Sequence, residues 1–251
     1  MKLPLRQALP PLIAFLLLYA AWDLSTRFLH IPPYLLPSPA AIWTETWGVS
    51  GAVAAHAVAT LKTMLAGFLL SLAVGIPLAL LIAGSSLAAA AIYPLLILVQ
   101  SIPKVALAPI LIVALGPTEV PRVIITFLVA FFPLVISTAT GLLTTPPELI
   151  DLSRSLKASR MQVMLLVRLP YAVPHIFSGL KVAATLSVIG VVVAEFVAAD
   201  SGLGYLIVSS MAFFNTALAF GAMLCLSVIA ILAFQLIVLV QRAFFPWSMR
   251  D

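Results

Sequence analysis

Charge is almost absent from this chain. Its 251 residues include 13 lysines and arginines and eight aspartates and glutamates. That is 8% charged, where a soluble domain carries about 25%. With 63% hydrophobic residues, the composition excludes a water-soluble globular protein and points to a polytopic membrane protein. Cysteine occurs once, as Cys225 in an apolar run, which excludes an internal disulfide and a cysteine cluster for metal. It reads as a small buried hydrophobe. His30, His56 and His175 are scattered and no H-E-x-x-H spacing occurs, so no metal site is expected. G-x-x-x-x-G-K-[ST] is also missing, which removes a nucleotide-binding P-loop from this chain. Gly202-Leu203-Gly204 alone is no phosphate loop, and no serine, histidine and acid are set for nucleophilic catalysis. The net charge of +5 does not suggest nucleic acid, because the basic residues fall mainly beside apolar runs.

What is present is a series of continuous apolar runs. A helix needs roughly 20 residues to cross about 30 Å of hydrocarbon, and a spanning barrel would instead alternate over ten-residue segments. An all-α membrane protein is therefore expected, with spans at 10–29, 61–84, 88–115, 121–142, 177–199 and 217–243 in a single transmembrane domain, 1–251. Ser101-Ile102-Pro103-Lys104 interrupts the third, which reads as a broken helix or a helix plus a short second piece. The first follows Lys2 and Arg6 and reads as a retained anchor, since its apolar core runs on into an aspartate and an arginine rather than a clean cleavage site.

Lysine and arginine set the orientation. With the N-terminus inside, the cytoplasmic side holds Lys2, Arg6, Arg154, Lys157, Arg160, Arg168, Lys181, Arg242 and Arg250. The opposite side holds Arg27, Lys62 and Arg122, and Lys104 is unassigned. Both termini and the 145–170 segment are thus expected in the cytoplasm. Along the second span Gly67, Ser71, Gly75, Ala79 and Ala83 recur every four residues, a small-residue stripe for close packing of another helix. Packing within the chain is favoured over a subunit interface. Asn215 or Thr216 is the expected N-cap of the last span, after a short amphipathic helix on the outer surface over 202–214.

Ionisable groups at membrane depth are expensive and are functional candidates by default. Glu195 near the outer end of the fifth span and Lys104 in the break of the third are such candidates. They could pair or line a translocation path, with Lys104 attracting an anion or simply tied to backbone carbonyls. Asp23 and Lys181 are close enough to span ends to snorkel.

The most informative stretch is TPPELIDLSRSLKASRMQVMLLVRLP, residues 145–170, polar and basic between apolar runs. Thr145-Pro146-Pro147-Glu148 has the form of a capping box, and Ser159-Arg160-Met161-Gln162 repeats it with glutamine. Two helices are expected, 148–157 and 160–169, with Pro170 ending the second. From the residues alone, the pair is either a docking element or an ordinary amphipathic interfacial loop.

The segment resembles the EAA loop of permease subunits of bacterial ABC importers, patterned EAA-x3-G-x9-I-x-LP. Here it runs Asp151-Leu152-Ser153, three residues, Lys157, nine residues, Val167, Arg168, Leu169-Pro170. The spacing holds throughout while identities are looser. Lys157 replaces a glycine whose left-handed conformation costs another residue roughly 1–2 kcal/mol. Ala194-Glu195-Phe196 through Ser201-Gly202-Leu203-Gly204-Tyr205-Leu206, Leu36-Pro37-Ser38-Pro39 and Phe245-Pro246-Trp247 also look like this family. The nearest branch imports nitrate, sulfonates, taurine, bicarbonate or thiamine-precursor pyrimidines.

The resemblance implies a type I binding-protein-dependent importer in the bacterial inner membrane. This chain would form the path and be no enzyme itself. It would hold no cofactor, ATP being bound by a separate ATP-binding cassette ATPase in two copies. A periplasmic or extracellular solute-binding protein and a second permease copy, as a homodimer, are the other expected partners, with lipid around them. The coupling residues it implies are Asp151, Leu152, Ser153, Arg154, Ser155, Leu156, Lys157, Ala158 and Ser159. Asp151 would supply an acidic contact, Arg154 or Lys157 basic ones, and Leu152 and Leu156 either a hydrophobic seat or packing on the chain's own spans. The solute would be small and anionic or polar. The rival reading is an ion- or proton-coupled secondary transporter or channel using Glu195.

Overall fold

The computed structural model describes residues 5–29 and 31–249, and among them there is no strand. Lys2, His30 and Arg250 lie outside those residues. Eleven α-helices follow in order: α1 (Leu5–Phe28), α2 (Pro39–Gly48), α3 (Ser50–Gly84), α4 (Ser86–Gln100), α5 (Lys104–Leu115), α6 (Glu119–Leu143), α7 (Pro147–Ser155), α8 (Arg160–Val163), α9 (Leu169–Ala198), α10 (Leu203–Ala212) and α11 (Thr216–Phe244). A π-turn, Met164–Arg168, joins α8 to α9, and a 3₁₀ turn, Pro246–Met249, closes the described chain.

Four stretches are single helices long and apolar enough to cross a membrane: Ser50–Gly84, Glu119–Leu143, Arg160–Val197 and Thr216–Phe244. The pair α4 and α5 makes a fifth only as a broken span, bent by 89° at Ser101-Ile102-Pro103. The expected first span falls on the 24-residue α1, which ends one residue short of it at Phe28 and whose middle from Ile13 to Tyr19 is apolar and exposed. The last span and the fourth match their expected bounds within two residues. The second begins eleven residues earlier than expected, at Ser50, and α9 begins before 177. The helix α2 was not expected. Ser38 caps it, its Oγ accepting the Ala41 N–H at 3.2 Å, with Pro39 as first residue.

The core is built on α6. Its broadest contact is with α9 and its next with α3. No hydrophobic drive exists between helices in lipid, so close backbone approach must supply the attraction. The stripe on α3 does this within the chain: Gly67, Ser71, Gly75, Ala79 and Ala83 are all buried. A Cβ at Gly67 would fall 2.6 Å from the Thr126 side chain, and one at Gly75 would fall 3.2 Å from Val135. In the same way, a Cβ at Gly179 or Gly190 of α9 would meet Ser137 or Thr126 at 2.8 or 2.9 Å. So α3 and α9 both close on α6 through glycines, which carry no side chain at the contact. Ile125, Leu134, Val135 and Leu142 fill the space between and are fully buried.

Two expectations are corrected by the helix ends. Thr145 does not cap α7; its buried hydroxyl donates to the Leu142 carbonyl at 3.1 Å, and α7 starts at Pro147 without a side-chain cap. Pro170 does not stop the second helix. Just before it the ladder widens, so that the Leu169 N–H reaches the carbonyl of Met164, five residues back. The wider turn removes the clash a proline ring makes with the carbonyl four residues earlier, and the helix runs through. The 202–214 stretch also departs from a surface helix. Leu203, Leu206, Ile207 and Ser210 of α10 are buried against α9, α11 and α3. Asn215 is the N-cap of α11, its Oδ1 accepting the Leu218 N–H at 3.1 Å.

Candidate coupling hairpin and the buried carboxylate

The polar hairpin folds by its own local bonds. Ser159 and Gln162 form a complete capping box, with Gln162 N–H to Ser159 Oγ at 3.3 Å and Ser159 N–H to Gln162 Oε1 at 2.7 Å. At the end of α7 the Lys157 N–H donates to Arg154 O at 2.8 Å and the Ala158 N–H to Ser153 O at 3.0 Å. These are the two bonds of a Schellman motif, which places a left-handed residue where Lys157 sits. Lys157 adopts it, with φ of 57°. The turn is therefore built as a glycine would build it, and the lysine carries the strain.

The hairpin's side chains divide by chemistry. Ser153 and Ser155 hydroxyls donate back to the carbonyls of Leu149 and Asp151, at 2.7 and 3.0 Å, and so are spent within α7. Asp151 and Arg154 form an intrahelical pair at 3.4 Å with both side chains 71% exposed. Such a pair contributes only about 0.3–0.5 kcal/mol. Leu152 and Leu156 do not pack on the chain's own spans: they are 58% and 75% exposed. Leu149 continues their face, and Met161, Leu165 and Leu166 lie exposed across the turn. The sequence analysis did not single out this second row, since a helix over 160–169 does not by itself say which of its faces stays uncovered.

The hairpin is tied to the bundle by Arg168. Its Nη1 donates to the Ala83 carbonyl at 2.6 Å, in the last turn of α3, where a cation also meets the negative end of the helix dipole.

Glu195 and Lys104 are not partners. The Glu195 carboxylate is 2% exposed and takes the Thr60 hydroxyl at 2.8 Å and the Gly204 N–H at 2.7 Å. The Lys104 ammonium donates to the Gln100 carbonyl at 2.8 Å and lies 4.9 Å from the centroid of the Phe132 ring. It thereby closes the break between α4 and α5. We expect a Lys104→Met variant to transport within about twofold of the parent in vesicle uptake, since its loss removes one carbonyl contact and one ring contact from a partly buried site. Asp23, the other candidate near a span end, pairs with Arg27 at 2.9 Å.

Thr60 and His56, which complete the surroundings of Glu195, were not singled out in the sequence. Their partners lie 135 or more residues away and no local pattern marks them.

Residues 75–249 match the family described as the binding-protein-dependent transport system inner membrane component. The chain belongs to this family. It is also 36% identical over 246 residues to the formylaminopyrimidine transport permease protein ThiX of Halalkalibacterium halodurans, covering 98% of each chain. The riboflavin transport system permease protein RibX of Chloroflexus aurantiacus is 33% identical over 94% of this chain and 89% of its own. The nitrate import permease protein NrtB of Leptolyngbya laminosa is 30% identical over 81% and 75%. The protein is thus a multi-pass inner-membrane permease of an ABC importer for small solutes, of the nitrate and thiamine-precursor branch. Membership in this family implies an ATPase and a solute-binding protein as partners. The relatives are permease subunits, which is consistent with a chain that is not itself an enzyme.

Proposed function

We propose that the α7–α8 hairpin is the cytoplasmic handle on which a separate ATPase acts. The observation that carries this reading is the uncovered leucine row, Leu149, Leu152 and Leu156, on a short helix fixed at its far end by a Schellman turn and a capping box. A hairpin that spends its serines on its own backbone and leaves its leucines bare is shaped for a protein cleft. Two permease copies, as a homodimer, form the pore; two ATPases seat beneath, and a solute-binding protein delivers from outside. Both termini lie in the cytoplasm, as the lysine and arginine distribution supports. ATP-driven closure moves the hairpin, and the spans exchange inward-open for outward-open, an equilibrium biased from both sides. The ATPase binds ATP, and this chain needs no cofactor. Relatives that are formylaminopyrimidine and nitrate permeases support a small polar or anionic solute.

In the docked state Asp151 supplies the acidic contact and Arg154 or Lys157 the basic ones, while Leu152 and Leu156 seat in the cleft and Ser153, Ser155, Ala158 and Ser159 hold the turn. The test is a pull-down of tagged permease from native membranes, parent against Asp151→Arg. The parent should bring down a P-loop ATPase and the variant should lose it. Because Asp151 and Arg154 are both exposed, the exchange should leave the purified permease as stable as the parent, within about 0.5 kcal/mol. Equal recovery of the ATPase, with unchanged solute-stimulated hydrolysis, would refute the handle.

A further inference from the structure

Three successive backbone N–H groups at the start of α10 are held by side chains from two other helices. The Gly202 N–H donates to His56 Nδ1 at 3.1 Å. The Leu203 N–H donates to Thr60 Oγ1 at 2.7 Å, and the Gly204 N–H to Glu195 Oε2 at 2.7 Å. The Thr60 hydroxyl then donates to Glu195 Oε1 at 2.8 Å, closing the set. His56 and Thr60 belong to α3 and Glu195 to α9, so one small network joins three helices.

The backbone is shaped to admit the carboxylate. Gly202 has φ of 112°, which side-chain-bearing residues rarely adopt, and a Cβ there would overlap the Glu195 carboxyl group. A Cβ at Gly204 would fall 2.8 Å from the Glu195 Cβ and 3.0 Å from the Val192 carbonyl. A buried carboxylate is tolerated only when its lone pairs are used, and here the Thr60 hydroxyl and the Gly204 N–H are the donors, with the positive dipole end of α10 beside them. Glu195 is therefore a strut rather than a transport site.

Its place in the molecule gives the strut a task. From Arg160 to Val197 the chain is one helical element of 38 residues, beginning in the hairpin. Leu169 and Glu195 are 26 residues apart, or about 39 Å at 1.5 Å per residue, more than the hydrocarbon thickness. The same rod thus carries the handle at one end and grips α10 at the other.

We propose that Glu195 and Thr60 are positioning residues for transport: they clasp α10 to α9 and α3, so that movement of the hairpin reaches α10 at the opposite membrane face. This rests on the hairpin being the handle. A buried charge-assisted network has two well-separated conditions, made or broken, because a half-made one leaves donors unpaired. The clasp therefore transmits movement as a rigid joint.

The test uses Thr60→Val, which keeps the shape and removes the hydroxyl, beside Thr60→Ser, which keeps it. Glu195→Gln is a second disruption that keeps the side-chain outline. In a Cys225→Ala background, spin labels at the exposed positions Ile189 on α9 and Val208 on α10 report the joint in lipid nanodiscs. The parent and Thr60→Ser should give one narrow distance, and Thr60→Val and Glu195→Gln a broadened one. In the assembled importer both disruptions should lower solute-binding-protein stimulation of ATP hydrolysis by about tenfold, with the ATPase still co-purifying. Full stimulation in a folded, ATPase-bound Thr60→Val overturns the clasp, as does a narrow distance in both disrupted variants. If no ATPase accompanies even the parent, the handle reading falls, and the label distance still decides the joint.

Discussion

The paired substitution Leu152→Asp with Leu156→Asp should leave an intact permease that no longer retains its ATPase. Both side chains are more than half exposed and contact no span of their own chain, so the bundle should lose nothing measurable. In the proposed assembly they form the apolar part of the handle. Burying a leucine fully contributes about 1.5–3 kcal/mol, and these two begin largely bare. Removing both therefore costs about 3 kcal/mol of docking energy, roughly 100-fold in Kd. Two aspartates forced into the cleft would add the desolvation of charges without partners. The measurement is ATPase retained per permease on a tag column, alongside thermal unfolding of the permease in detergent. Retention at the parent level would mean that the leucines face lipid headgroups and that the handle lies elsewhere. Loss of retention together with a large fall in thermal stability would mean that they pack internally, contrary to the structure.

The leucines also show how far the residues alone could be read. Their four-residue spacing put them on one face, but spacing cannot say whether that face meets protein or solvent. The spans that were legible, 121–142 and 217–243, are those bounded by polar or charged residues at both ends. The second span was placed eleven residues late because His56 and Thr60 interrupt its apolar run. Those same residues are polar for a reason invisible locally: they hold the start of α10, more than 140 positions away. Glu195 was legible as an expensive charge, but its partners were not, because only the fold brings the Thr60 hydroxyl and the Gly204 N–H to it. Pro170 was misread for another reason. A helix stop is the ordinary outcome of proline, and the π-turn that averts it depends on five-residue bonding with no marker in composition. The Ser159 box was legible in full because both its partners lie within three residues. Thr145 showed the same letters, but burial against α6 turned its hydroxyl to Leu142 instead.

Gly67→Leu should abolish recovery of monodisperse permease, the largest effect on the fold that any single position in the stripe is expected to give. Gly67 is where α3 meets α6 most tightly. Its added Cβ would lie 2.6 Å from both Cβ and Cγ2 of Thr126 and 3.0 Å from the Phe127 backbone nitrogen. Thr126 cannot swing aside, because it is fully buried and its hydroxyl donates to the Arg122 carbonyl at 2.8 Å. Gly190 of α9 also packs on the same threonine, its own added Cβ falling 2.9 Å from the Thr126 Cα, so a shift of α6 disturbs a second close contact. The helices must then separate, and in lipid a lost close contact is replaced only by acyl chains. Gly67→Ala should cost about 1–3 kcal/mol by overpacking alone, and the larger leucine correspondingly more. Gly51, in the first turn of the same helix, gives the control, for nothing lies within 4 Å of its added Cβ. Gly51→Ala should be neutral or stabilise by about 0.5–1 kcal/mol through helix propensity. Size-exclusion profiles and thermal unfolding of the three variants separate the outcomes. Equal behaviour of the alanine variants at 67 and 51 would show that the stripe is not a packing seam within the chain, and would move it to the surface where a second subunit meets it.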